Sequence, residues 1–281
     1  ENILVHENNL IFSDYKGNIR VFSLDENQLI FDFNFYKNKI KKTKKEIKLI
    51  AKNNFIIAAD NFGYIYSINY KNNKINWAKN FLVPFRSNLK IIDNVLFLSD
   101  EKNKIIMIDI NNGNKIDELY TQPSKTVSGF ESSLALDEKN NLLFLSTSGT
   151  LYSLNLVNNK VINWIQNFKN ENQIIFDGKP IIVLKDSIII STGKSISLLQ
   201  QNGSRIWDLS IKSNVRPAAS GNIIFLVSTD NQLVFINKNS GQIVYSKNIN
   251  SLIANDFKKS FSKKIKKITQ IFLVNNKLLL I

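Results

Sequence analysis

Short apolar segments recur along almost the whole chain, separated by polar turns. The clearest copies of this pattern are NNLIFSDYKGNIRVFSLDENQLIF (8–31), NNFIIAADNFGYIYSINYKNNKINW (53–77), NNLLFLSTSGTLYSLNLVNNKVINW (140–164) and SGNIIFLVSTDNQLVFINKNSGQIVY (220–245). Weaker copies cover 93–117 and 185–207, and NNKLLLI (275–281) begins a seventh. A period of about 43 residues with several strands per unit is typical of β-propeller blades.

The apolar runs predict the position of the strands. Residues 142–145 and 223–227 are apolar without interruption, which favours strands covered on both faces by neighbouring blades. Only four Pro occur, and no stretch keeps an apolar period of 3.6 over several turns. The sequence therefore predicts an all-β fold, a β-propeller of four-stranded antiparallel blades. In the first blade, strands are expected at about 10–14, 19–24 and 28–34.

The second turn of each copy carries residues that accept positive φ. These pairs are Asn72-Asn73, Asn112-Gly113, Asn158-Asn159, Asn202-Gly203 and Ser240-Gly241. They predict two-residue hairpins with turns of the primed types. An aromatic residue follows each turn in five copies, at Phe31, Trp77, Trp164, Trp207 and Tyr245. A large ring at one recurring position is expected to pack between blades rather than to hold a cofactor.

Length and composition narrow the class of protein. The 281 residues suffice for one domain over 1–281, with no linker rich in Pro, Gly or Ser. The absence of Cys excludes disulfides, thiolate metal sites and a Cys nucleophile, and leaves the compartment open. The sequence contains no run of 18 apolar residues, so no membrane-spanning helix is predicted. Because Ile281 falls within a predicted strand, we expect this chain to be truncated in its seventh blade.

The net charge of +14 raises the question of an anionic partner. Much of the excess lies in two segments between blades, with seven Lys within 37–48 and six within 258–267. We interpret both as solvated loops of biased composition, with binding to an anionic lipid surface or to nucleic acid as the alternative. Both segments lack the interleaved aromatic residues that stack on single-stranded bases, so no nucleic acid is expected.

Candidate catalytic groups are few. His6 is the only histidine, which removes Ser-His-Asp and Cys-His arrangements and leaves no metal site to predict. Four carboxylates, Asp14, Asp60, Asp100 and Asp230, recur at the start of the first hairpin turn. An Asp at that place accepts hydrogen bonds from the amides of its own turn, so a structural role is expected for all four. No catalytic residue is predicted, and the protein is not expected to be an enzyme.

The repeats GYIYSINYKNNKINW and GTLYSLNLVNNKVINW resemble the pyrroloquinoline-quinone-type (PQQ-like) propeller repeat. The order of blade variants is similar to that of the BamB family, in its alphaproteobacterial form. The matching segments are PFRSN (84–88), SGFESSLAL (128–136), FDGKPIIV (176–183) and NVRPAAS (214–220), followed by a long polar insertion (250–269). The resemblance covers essentially the whole chain and implies eight blades in the full protein, of which about seven are started here.

The resemblance also implies a function. BamB proteins are non-catalytic scaffolds of the outer-membrane β-barrel assembly machinery that bind a POTRA domain of BamA and help barrel precursors reach the membrane. The implied protein is a monomeric lipoprotein without cofactors, held at the periplasmic face of the outer membrane by a lipid at its N-terminus. Unfolded outer-membrane proteins are further implied partners.

The partner site is expected on two loops, 124–131 and 174–179, which hold the same place in successive blades and should form one patch. In the BamB family the first loop presents apolar residues followed by Arg, whereas this chain has Thr126 to Gly129 there. Val127 and Phe130 are therefore the expected apolar anchors, with Asp177 and Lys179 as charged contacts. The alternative, that Phe130 packs under its own loop, stays open.

Two other classes of protein remain as alternatives. A quinoprotein dehydrogenase has a similar repeat, but it needs Ca²⁺ ligands, an Asp base and an Arg, and no acidic cluster accompanies Arg86 or Arg216 in the sequence. A cytoplasmic or membrane-surface propeller that binds a protein or an anionic partner is the other alternative. A secretory signal ending in a lipobox Cys would separate it from the scaffold.

Overall fold

The computed structural model describes residues 2–36, 43–123, 130–156, 161–169, 175–213, 215–256, 268–275 and 277–281. Its strands form six four-stranded sheets and one two-stranded sheet within these residues. In every sheet each strand pairs with its neighbours in sequence, so each sheet is an antiparallel meander. The predicted propeller blade is therefore confirmed. The chain divides into two compact units, Glu1–Leu134 and Ala135–Ile281, and the prediction of one domain over 1–281 stays a prediction.

The first unit contains three sheets. The first sheet consists of β1 (Asn2–His6), β2 (Asn9–Ser13), β3 (Asn18–Ser23) and β4 (Gln28–Asn34). The second consists of β5 (Ile47–Lys52), β6 (Phe55–Asp60), β7 (Tyr64–Asn69) and β8 (Lys74–Asn80). The third consists of β9 (Lys90–Ile92), β10 (Val95–Ser99), β11 (Ile105–Asp109) and β12 (Lys115–Leu119). Strands β2 to β4 lie within a residue or two of the expected positions, which confirms the assignment of the first blade.

The remaining sheets follow in the second unit, whose boundary falls within β13. The fourth sheet consists of β13 (Ser133–Leu136), β14 (Leu142–Leu145), β15 (Thr150–Asn155) and β16 (Val161–Asn167). The fifth consists of β17 (Ile182–Val183), β18 (Ser187–Ser191), β19 (Ile196–Gln200) and β20 (Arg205–Leu209). The sixth consists of β21 (Ala218–Ser220), β22 (Ile223–Val227), β23 (Gln232–Asn237) and β24 (Ile243–Asn248). Helix α1 (Ile249–Asp256) precedes the two-stranded sheet of β25 (Ile271–Val274) and β26 (Lys277–Leu280).

The central strands of the second to fifth sheets are buried on both faces, as the continuous apolar runs predict. Their side chains form cores between successive sheets of the same unit, for example between the second and third sheets and between the fourth and fifth. The first and sixth sheets differ, because burial alternates along β3 and is broken along β22. Full cover on both faces was thus a wrong prediction for residues 223–227.

The three tryptophans each join their own sheet to the sheet that follows it. The indole Nε1 of Trp77 donates to the carbonyl oxygen of Ile110 at 2.8 Å, that of Trp164 to Gln201 at 3.1 Å and that of Trp207 to Lys238 at 2.7 Å. Each acceptor lies in the second hairpin of the following sheet. The positive-φ glycine of that hairpin lies against the ring, so that a Cβ on Gly203 would come within 2.6 Å of Trp164 Cδ2. These contacts confirm a structural role for the tryptophans.

The second hairpins are longer than predicted. Four or five residues separate the strands, and positive φ occurs at Asn73, Gly113, Gly203 and Gly241. Only the second residue of each described pair has positive φ, whereas a type I′ turn needs it at both positions. The prediction of two-residue primed turns was therefore wrong where these pairs are described. In all six four-stranded sheets the register shifts at the second hairpin, for example between Ser67 and Ile68. This β-bulge accommodates the longer loop. Asn158-Asn159 lies outside the described residues.

Three of the four predicted turn carboxylates are confirmed. Oδ1 of Asp14, Asp60 and Asp100 each accepts two amide hydrogens from its own turn at 2.8–3.0 Å. In the sixth sheet the equivalent position is Ser228, whose Oγ accepts from the amide of Gln232 at 3.1 Å. The prediction for Asp230 was therefore wrong, because this residue lies two positions further along the turn.

Two lysines of the first basic segment also differ from a solvated loop. Lys45 is 3% exposed and its Nζ lies 5.4 Å from the centre of the Tyr36 ring. Lys48 belongs to β5 and forms an ion pair with Glu131. The interpretation as a solvated loop was wrong for these two residues, because each is held by a neighbouring aromatic ring or carboxylate. Residues 258–267 lie outside the described part of the chain.

Candidate functional site

The loop that precedes β17 carries two of the predicted site residues, Asp177 and Lys179. It is anchored by Phe176, which is 2% exposed and belongs to the core between the fourth and fifth sheets. Gly178 packs so closely on this core that an added Cβ would lie 2.8 Å from Phe176 Cε1 and 2.9 Å from Leu145 Cδ2. In the order Phe-Asp-Gly-Lys, the ring of Phe176 is thus buried in the core and the backbone at Gly178 packs closely on it. The charged side chains of Asp177 and Lys179 lie at the surface.

Backbone hydrogen bonds hold this loop against the end of β18. The amide of Lys179 donates to the carbonyl of Ser191 at 2.8 Å, and the amide of Gly193 donates to the carbonyl of Asp177 at 2.8 Å. Lys179 Nζ lies 2.8 Å from both carboxylate oxygens of Asp177. The two side chains are 15% and 23% exposed. The structure therefore brings the two predicted charged contacts together as a half-buried ion pair.

A cavity of about 580 Å³ adjoins Lys179 and brings Arg216 to the same surface. Its walls include Pro180, Pro217 and Phe272. Arg216 Nη2 donates to the carbonyl of Ile181 at 3.4 Å, and no carboxylate partner is present among the described residues. Desolvation by the surrounding protein lowers the pKa of Arg216, but a guanidinium stays charged at neutral pH.

The combination of apolar walls and a cation without a carboxylate suits an acidic side chain of a partner protein. In the sequence, Arg216 stands out only as part of the matching segment NVRPAAS (214–220) and for the lack of nearby acidic residues. Its place between Val215 and Pro217 in the loop before β21 was the available signal, because that loop is equivalent to the one that carries Lys179.

The other predicted anchors belong to the first unit. Phe130 is 38% exposed, so it does not pack entirely beneath its own loop. The next residue, Glu131, pairs with Lys48 of β5. Val127 lies outside the described residues. The expectation that Phe130 and Asp177 share one patch stays a prediction, because each residue is described within its own unit.

His6 is hydrogen-bonded to the carbonyl of Asn53 at 2.9 Å on an exposed surface. No three His, Asp or Glu side chains come together as a metal site in the part of the chain that the structure describes. No helix of that part is long and apolar enough to cross a membrane. What the loops around Asp177 offer is a surface for binding, with charges and apolar walls side by side.

Meanders of four strands, joined by a tryptophan that docks on the next hairpin, define a β-propeller of PQQ-like repeats. The chain belongs to the family described as "Outer membrane protein assembly factor BamB", whose sequence profile matches residues 10–247. The predicted BamB family is thus confirmed, and its alphaproteobacterial form stays a prediction.

Among solved structures, the crystal structure of BamB from Moraxella catarrhalis is similar with a TM-score of 0.72 and 13% sequence identity. The match covers 97% of this chain and 78% of that protein. At this identity the likeness shows the fold. No curated protein sequence matches the chain significantly.

Proposed function

We propose that the protein is a non-catalytic scaffold of outer-membrane β-barrel assembly, which binds a POTRA domain of BamA and assists the delivery of barrel precursors. The observation that carries this proposal is the membership of residues 10–247 in a family described as an outer membrane protein assembly factor. The proposal includes a location at the periplasmic face of the outer membrane, as a monomer anchored by a lipid, with unfolded outer-membrane proteins as further partners.

The partner contact is proposed at Phe130 and at the ion pair of Asp177 with Lys179. An exposed aromatic ring is a frequent anchor in protein interfaces, and half-buried charges beside apolar walls provide specificity. Lys179 already neutralises Asp177, so a partner cation gains less from Asp177 than from an isolated carboxylate. Arg216 has no such carboxylate among the described residues and adds an attractive contact for an acidic partner residue.

The proposal is tested by calorimetric titration with a POTRA fragment of BamA from the same organism. Phe130→Ala and Asp177→Arg are each expected to weaken binding by about 1–2 kcal/mol, because one removes an anchor and the other reverses a charge. Asp177→Asn, which keeps the side chain's shape, should show a smaller loss in the same direction. All variants should keep the melting temperature of the parent within a few degrees.

Lys44→Glu is the matched control, since this side chain is 72% exposed and is paired only with Glu46 among the described residues. It should leave the affinity nearly unchanged at physiological salt, because an exposed charge at the rim alters mainly the association rate. Loss of binding in Lys44→Glu with full binding in the Phe130 and Asp177 variants would move the site to the basic segment.

A further inference from the structure

The outer strands of the six larger sheets differ in charge. Each of these sheets has two edge strands, its first and its fourth, and among the described residues each edge strand is paired on one side only, so its other edge presents unpaired N–H and C=O groups. The fourth strand, here called the outer strand, is the longer of the two in every sheet. Five of these strands carry at least one charged residue: β4 contains Asp32, β8 Lys74 and Lys79, β12 Lys115, Asp117 and Glu118, β20 Arg205 and Asp208, and β24 Lys247. Strand β16 has none over its described residues VINWIQN (161–167), although Lys160 directly precedes them in the sequence. Charges on an edge discourage pairing with another chain, and β16 lacks this protection.

Strand β16 is also long and apolar at its surface. It runs for seven residues without Pro. Val161, Ile162 and Ile165 are 54%, 45% and 50% exposed. An uncharged edge with exposed β-branched residues provides both parts of strand addition, namely backbone hydrogen bonds and contacts for alternate side chains.

A cavity of about 860 Å³ adjoins this strand, lined in part by Asn163 and Trp164 of β16 and by Gln201. Gln201 Nε2 donates to the carbonyl of Leu184 at 2.8 Å, which fixes the amide. Its Oε1 is buried and has no hydrogen-bond partner among the residues that the structure describes. A buried acceptor without a donor is costly, and a side chain of a bound peptide that donates there would remove that cost.

We propose that the free edge of β16 binds an extended segment of another polypeptide, which adds to the fourth sheet as a fifth strand. The chemistry of the edge requires an extended backbone, and Val161, Ile162 and Ile165 favour a segment with alternating apolar residues. The net charge of +14 selects a neutral or acidic segment and disfavours pairing with a second copy of the same chain. The inference rests on the proposed function only for the identity of the bound chain, since barrel precursors consist of such segments.

The test uses a synthetic nine-residue peptide of alternating Val and Thr with a Glu at each end, labelled for fluorescence anisotropy. Binding to the whole chain is expected, with protection of the amides of residues 161–167 from hydrogen exchange. Ile165→Lys should weaken the peptide's affinity at least tenfold, because it places a charge on the edge strand. A peptide with Lys in place of Glu should bind less tightly.

Ile116→Lys is the matched control, because Ile116 is 55% exposed on β12, an outer strand that is already charged. It should change the peptide's affinity less than twofold. Both variants replace exposed side chains, and equal melting temperatures verify that the fold is intact.

Three outcomes overturn the inference: no binding of the peptide, protection at a strand other than β16, or a dimer of the chain that Ile165→Lys dissociates. The POTRA titration separates this inference from the proposed function. Ile165→Lys is expected to bind the POTRA fragment as the parent does. If the parent binds the peptide at β16 but not POTRA, the proposed function fails and the inference stands.

Discussion

At the scale of single residues, a buried polar cluster lies where the first and second sheets meet. Tyr36 and Asp60 are 2% and 1% exposed, and the hydroxyl of Tyr36 donates to Oδ2 of Asp60. The amides of Phe62 and Tyr64 donate to Oδ1 of the same carboxylate at 2.8 Å. Burial raises the pKa of Asp60 above its ordinary value, and burial likewise raises the pKa of Tyr36. The sequence predicted the bonds from the turn amides, because they are local. It did not predict the bond from Tyr36, which lies 24 residues earlier in the chain.

This raised pKa leads to a prediction about pH. The folded state holds the Asp60 proton more tightly than the unfolded chain, so this group's contribution to stability is present below about pH 3.8 and is lost as the pH rises through the folded-state pKa. Asp60→Asn keeps an oxygen for the turn amides and never ionises. Its free energy of unfolding, measured in urea, should therefore rise relative to the parent as the pH increases from 4 to 7.

Tyr36→Phe should have the opposite effect on the pH dependence of stability. The hydrogen bond from Tyr36 favours the ionised carboxylate, so its loss should raise the pKa of Asp60 further and make the decline of stability with pH steeper. Equal pH dependence of the parent and both variants would show that Asp60 does not titrate between these pH values.

At the scale of elements, the strands could be predicted because their signal is local. Continuous apolar runs located β6, β10, β14 and β18, and Asn or Gly located the second hairpins. The bulge in these hairpins could not be predicted, because Asn-Gly suits both a two-residue turn and a longer loop that ends in positive φ. The burial of Lys45 escaped prediction for another reason. A lysine in a basic run looks solvated unless the aromatic ring that it packs on is known.

At this scale we predict how substitution of a docked tryptophan changes the free energy of unfolding. Trp207→Ala should lower the free energy of unfolding by about 3–5 kcal/mol, since it leaves a cavity between the fifth and sixth sheets and removes the bond to the carbonyl of Lys238. Trp207→Phe should cost less, because it keeps an aromatic ring and loses only the Nε1 donor. Denaturant unfolding followed by circular dichroism measures both.

Affinity for the POTRA fragment serves as the control for Trp207. A structural residue changes stability without a selective effect on a ligand. If Trp207→Ala kept its stability but lost binding, the ring would belong to a binding site instead.

At the scale of the whole molecule, the family and the fold class could be predicted from the order of repeats, whereas the partner contacts could not. Phe130 and Asp177 were placed by analogy with loops of the BamB family, and the departure at Thr126 to Gly129 weakens that analogy for the first loop. The structure adds Arg216 and the edge of β16, which depend on contacts between segments far apart in sequence. Lys48, Lys179 and Lys238 are engaged in ion pairs, so part of the basic excess is neutralised locally.

The net charge of +14 yields a last prediction, which separates a specific protein partner from a general anionic surface. Electrostatic attraction to a lipid surface acts over the Debye length, which is about 30 Å at 0.01 M salt and about 8 Å at 0.15 M. Vesicles with about one third phosphatidylglycerol should therefore bind the protein in a sedimentation assay at 0.01 M salt and release most of it at 0.15 M.

Binding of the POTRA fragment should weaken much less over the same range of salt, because the proposed contacts at Phe130 and beside Lys179 act at short range. Neutral phosphatidylcholine vesicles are the control and should bind little at either salt concentration. Retention on the anionic vesicles at 0.15 M, together with loss of POTRA binding, would favour a membrane surface as the partner. The lysines would then be the functional groups, and Asp177 would serve only to hold Lys179 in place.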